Sequence, residues 1–98
     1  MHQHLQMTMF SRKLSESTKK DIAARQYYKC ANKPGTILDK LEDYDCPLWM
    51  RKDENAGFFD RSGYEIDHIV EYAKTHDDSA KNLQALCKSC HSVKTKTF

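Results

Sequence analysis

A chain of 98 residues with 39% hydrophobic and 31% charged side chains is enough for one small domain and excludes a large enzyme core. A formal charge of +2 does not by itself mark a nucleic-acid binder. The distribution is more informative, with Lys19, Lys20, Arg25, Lys29 and Lys33 clustered early and Lys81, Lys88, Lys94 and Lys96 late, although solvated helix faces produce such clusters too.

Residues 1–12 mix His, Gln, Met and Thr without periodicity and read as a disordered tail, with His2 and His4 in it, ahead of a single domain over 13–98. A polar cap at Ser15 or Ser17 followed by Ile22, Ala23 and Tyr27 predicts a short helix running into Tyr28, whose end delivers Cys30. Asn32, Pro34 and Gly35 break the chain, and Ile37, Leu38 and Leu41 have the spacing of a helical turn before Cys46 and Pro47. Trp49 is expected to be buried beside Cys46. Arg51 to Gly63 reads as a connection with Phe58 and Phe59 tucked inward. Tyr64, Ile66 and His68 then alternate with Glu65, Asp67 and Ile69, the period of a strand. A polar loop over 73–81 leads to a second strand, Asn82 to Leu86, and Cys87 to Lys96 suits a compact helix with basic residues outward.

Cysteine usage decides what holds so small a chain together. Four cysteines offer two disulfides or one four-sulfur metal site. No apolar run approaches a membrane span, and Met1 to Phe10 lacks the apolar core of a signal peptide. A reducing compartment, cytoplasm or nucleus, is therefore expected, where short-spaced cysteines favour a structural zinc ion on Cys30, Cys46, Cys87 and Cys90. A secreted disulfide domain is the alternative.

The segment YEIDHIVEYAKTHDDSAKNLQALCKSCHSVKT, residues 64–95, resembles the core motif of the HNH endonuclease family. The resemblance implies an α+β fold, a small ββα-metal core preceded by a helix and closed by the zinc site. It also implies that an acid-His pair on the first strand, an Asn opening the second and a His on the helix converge on a divalent ion such as Mg²⁺ or Mn²⁺. Residue by residue these are Asp67 and His68, Asn82 and His91. Two features depart from the family pattern: Cys30 and Cys46 have fifteen residues between them rather than forming a close pair, and Asp77 and Asp78 stand where glycines are common.

Phosphodiester hydrolysis needs an activated water, neutralisation of the scissile phosphate and help for the leaving oxygen, and one metal supplies the last two. The expected roles are Asp67 and His91 as ligands of the catalytic ion, His68 as general base and Asn82 as the amide holding strands and loop together. Lys88, Lys94 and Lys96 are the candidate phosphate contacts. DNA is the implied partner, a viral chain would work in its host cell, and recognition of long sites calls for a second copy or another specificity partner. His76 reads as a solvated loop residue. Two other readings compete: Cys87-Lys88-Ser89-Cys90-His91 matches the haem-attachment pattern, and the zinc could staple a non-catalytic module that binds nucleic acid or protein.

Overall fold

The computed structural model describes residues 14–96, so the expected tail over 1–12 lies outside the described residues. The chain forms helix α1 (Glu16–Arg25), strand β1 (Tyr64–His68), a one-turn helix α2 (Tyr72–Thr75), a 3-10 turn (Ala80–Asn82), strand β2 (Leu83–Cys87) and helix α3 (Lys88–Lys96). β1 and β2 pair antiparallel, with Tyr64 opposite Cys87, Asp67 opposite Gln84 and His68 opposite Leu83. This is the expected ββα order.

Ser15 starts α1 by accepting the Thr18 amide at 3.1 Å, with Glu16 in the first turn and Arg25 in the last, the placement that suits the helix dipole. Ile22 and Ala23 are buried against Leu83 and Ala85 of β2. The helix stops at Arg25 rather than running on to Tyr28. Tyr28 N donates to Ala23 O and Tyr27 N to Ala24 O, both at 2.9 Å, a Schellman termination that needs a left-handed residue after the cap. Tyr27 and Tyr28 supply it with φ of 58° and 60°. Glycine is the usual occupant, and an L side chain there costs about 1 kcal/mol or more.

The expected turn of helix at Ile37 to Leu41 is absent. Leu38 and Leu41 instead close successive tight turns through Leu41 N to Leu38 O (3.0 Å) and Tyr44 N to Leu41 O (3.1 Å), and Lys40 is left-handed (φ 68°), which stops helix propagation. Leu41 joins the cysteines, Leu86 and the partly buried Trp49 and Val93 in one apolar cluster, while a second lies under α1. Phe59 packs against both, as expected of an inward ring, whereas Phe58 is 38% exposed. All five residues of β2 are buried.

Candidate metal centre and active site

Two separate arrangements of chemistry-bearing side chains flank the ends of β2. At its C-terminal end, Cys30, Cys46, Cys87 and Cys90 are all buried and offer sulfurs that lie within 4.8 Å of one another. The cysteines are free, and Cys46 Sγ stands 3.7 Å from Cys87 Sγ, against about 2.05 Å in a disulfide. Zinc–sulfur bonds of about 2.3 Å imply tetrahedral sulfur–sulfur edges of about 3.8 Å, so the donor set fits a zinc-sized ion.

Hydrogen bonds around the sulfurs suit thiolates: Cys87 N donates to Cys30 Sγ (3.3 Å), Cys90 N to Cys87 Sγ (3.4 Å) and Asn32 Nδ2 to Cys90 Sγ (3.5 Å). Bonding from Cys30 brings the Cys46 thiol down to about 7, and the same neighbour draws Cys87 far lower. Cys30 is pushed up chiefly by Cys46, and Cys90 chiefly by Cys30. Four thiols this close cannot all ionise without a cation among them. The indole of Trp49 supports the cluster from one side, donating to Cys30 O at 2.7 Å.

At the other end of β2 lies an open cleft of about 610 Å³, lined by Lys40, Asp67, His68, Glu71, Tyr72 and Lys94 among others. Asp67 and His68 alternate along β1, but the strand ends at His68 and both line the cleft. His68 Nε2 is 2.6 Å from Asp78 Oδ1, and its ring packs 5.4 Å from that of Tyr72. The loop acid Asp78 thus places a carboxylate against one ring nitrogen of His68. Glu71, at the rim, is held below the usual carboxylate range by the Lys40 ammonium beside it.

Asn82 is 8% exposed and clamps the loop. Its Oδ1 accepts Val70 N (3.0 Å), and its Nδ2 donates to Val70 O (3.0 Å) and Asp77 O (2.9 Å). The amide bonds both ways, as its chemistry allows.

Lys94 sits elsewhere than a phosphate-contacting lysine would. It is 4% exposed, and its ammonium donates to Asp67 Oδ2 (2.6 Å), His68 O (2.6 Å) and Ile69 O (3.3 Å). Lys88 and Lys96 do lie on the exposed face of α3, with Lys88 3.1 Å from Glu65. Asp67 Oδ2 also accepts Gln84 Nε2 at 3.0 Å. Its Oδ1, and both ring nitrogens of the half-buried His91, have no hydrogen-bond partner among the described residues. His91 and Lys94 are three apart on α3 and so neighbours on its surface. Carboxylate oxygen and imidazole nitrogen are both donors that divalent ions accept, and Asp67 Oδ2 with the adjoining carbonyl oxygens holds the Lys94 ammonium. Among the described residues, His91 does not line the cleft.

Residues 55–97 match the family described as HNH endonuclease. This segment belongs to that family. The HNH segment contains β1, β2, α3 and two of the four cysteines. A curated relative, the "Probable HNH endonuclease" of Lactococcus phage SK1, is 46% identical over 49 residues, 44% of this chain and 52% of that protein. The chain spans about half the length of the relative it matches, and no solved structure matches. No described helix is long and apolar enough to cross a membrane. The sequence reading missed three polar partners in the HNH segment: Asp78, Gln84 and the inward Lys94. Only Asp78 left a signal, as an acid where the family often has glycine.

Proposed function

We propose that this chain is a metal-dependent DNA endonuclease, with His68 as general base, Asp67 and His91 as ligands of a divalent ion, and the four cysteines as a structural zinc site. The observation carrying this reading is the convergence on one end of the hairpin of a partnered imidazole, His68 with Asp78 at 2.6 Å, and an acid with one oxygen unclaimed.

A bound Mg²⁺ or Mn²⁺ would neutralise the scissile phosphate and the leaving oxygen. Asp78 accepts from His68 Nε2–H and fixes the tautomer in which Nδ1 is the proton acceptor. His68 Nδ1 takes the proton from the attacking water. Asn82 keeps the loop bearing Asp78 in place. Lys94 holds Asp67 and the carbonyls at the end of β1, so its part is positioning, and phosphate contact falls to Lys88 and Lys96.

A second reading, a zinc-stapled module without catalysis, draws on the Lys94 ion pair, which already occupies Oδ2 of Asp67. Supercoiled plasmid with each divalent ion separates the two. Nicked or linear product, lost on chelation, is expected, and its absence with every ion would establish the module. The roles separate by metal titration. His68→Ala should cut about a hundredfold slower at any metal concentration. His91→Ala should recover partly as metal rises, and rescue of His68→Ala alone would reverse the assignments.

A further inference from the structure

A second groove, of about 450 Å³, opens where α1 ends, lined by Arg25, Tyr27, Lys29, Lys33, Trp49 and Gln84 among others. No carboxylate lines it among the described residues. The Lys29 ammonium lies 5.4 Å from the Trp49 ring centroid and 4.7 Å from that of Phe58, and Lys33 lies 5.6 Å from Trp49. Neither lysine is in an ion pair among the described residues. Their charges are held over aromatic faces with no counter-ion among the described residues.

Tyr27 occupies the left-handed position of the Schellman turn that glycine fills at least strain, yet the residue is 78% exposed. Packing does not repay the strain. The turn is also fixed: Gln26 accepts Ala85 N at 2.9 Å and donates to Lys29 O (2.9 Å) and Ala85 O (3.0 Å), fastening it to β2. An exposed aromatic residue on a fixed turn, beside cations that make no ion pair among the described residues, is the arrangement that takes an unpaired base and its phosphates. Gln84 joins this groove to the cleft, because it lines the one and donates to Asp67 at 3.0 Å in the other.

We infer that this groove binds single-stranded DNA, Tyr27 stacking on an unpaired base while Lys29 and Lys33 contact the adjoining phosphates. The substrate class is then DNA with unpaired nucleotides beside the cleaved bond. The choice of polymer rests on the nuclease reading above.

The test is binding of fluorescent oligothymidylate by the zinc-loaded full chain with no other divalent ion, alongside a duplex of equal length and an oligouridylate. Thymidylate should bind tighter than either. Tyr27→Gly should weaken it about tenfold or more, the scale of one lost stack, while raising the melting temperature because the turn is relieved of strain. Tyr27→Phe should retain binding. The pair Lys29→Gln and Lys33→Gln should reduce the log-log salt slope by about 0.7 for each lysine. Unchanged affinity in Tyr27→Gly, or preference for duplex or for oligouridylate, overturns the proposal. No cleavage enters this measurement: loss of the Tyr27 effect leaves the nuclease reading intact, and a chain that binds thymidylate but cuts no plasmid overturns only that reading.

Discussion

Replacing Lys94 with methionine tests the ion pair at the centre of the cleft. Lys94 and Asp67 side chains are 4% and 11% exposed and meet at 2.6 Å, so solvent screens the pair little. Lys94→Met keeps most of the apolar stem but leaves the Asp67 carboxylate uncompensated and removes the donor to His68 O and Ile69 O. Removing one partner of a buried pair costs about 3–5 kcal/mol, and in a domain of this size each kcal/mol lowers the melting temperature by about 4–8 °C. A fall of about 12 °C or more is expected by calorimetry on zinc-saturated protein. Combining Asp67→Asn with Lys94→Met removes both charges and should recover much of the loss, so a double-mutant cycle reports strong coupling. Mn²⁺ should raise the melting temperature of Lys94→Met more than that of wild type, because the divalent ion then meets Asp67 without the competing ammonium. Small, additive single effects would refute the reasoning, as would equal Mn²⁺ shifts.

The zinc end and the loop can be probed by substitutions of known geometry. A Cβ on Gly57 would lie 2.4 Å from Trp49 Cε2, at φ +86°, whereas one on Gly63, at φ +84°, meets nothing within 4 Å. Gly63→Ala should cost only the backbone term, about 1–2 kcal/mol, and Gly57→Ala about 1–3 kcal/mol more with faster zinc release to a chelator; equal melting temperatures would show that Trp49 yields freely. Asn82→Ala loses three hydrogen bonds, about 2–4 kcal/mol, and should speed hydrogen exchange at Val70 N; unchanged exchange would remove the amide from its clamping role. Asp78→Ala should change the ¹⁵N imidazole shifts of His68 as the tautomers mix, and identical shifts would show that the carboxylate does not select one.

The parts legible in the sequence were those set by local periodicity or by ligand spacing. Alternation across Tyr64 to His68 gave β1, and the helix expected over Cys87 to Lys96 is found as α3 at Lys88–Lys96. The four cysteines could be assigned to one cluster despite the long Cys30–Cys46 interval, because sulfur donors need to converge in space and not in sequence. Asn82 was legible because an amide bonds in both directions.

What stayed hidden depends on distant partners. Lys94 reads as an outward lysine available to phosphate until Asp67, 27 residues away, is brought against it. The end of α1 was invisible because tyrosine carries none of glycine's signal for a left-handed turn. At Ile37 to Leu41 the apolar spacing was helical, but the left-handed Lys40 divides the segment into turns. Asp78 and His68 are ten residues apart, and only the folded loop makes them a pair.

The placement of the cysteines limits how this domain can be excised. The family motif occupies residues 55–97, yet Cys30 and Cys46 precede it, and so does α1, which covers β2. A fragment cut at the motif boundary would carry half a coordination sphere and a bare apolar strand. If the cluster holds zinc, two such fragments would complete one tetrahedron between them and dimerise around the ion, whereas the longer chain brings all four thiols together itself. The smallest portable unit for transplantation or fusion is therefore the motif together with its upstream helix and both outlying thiols.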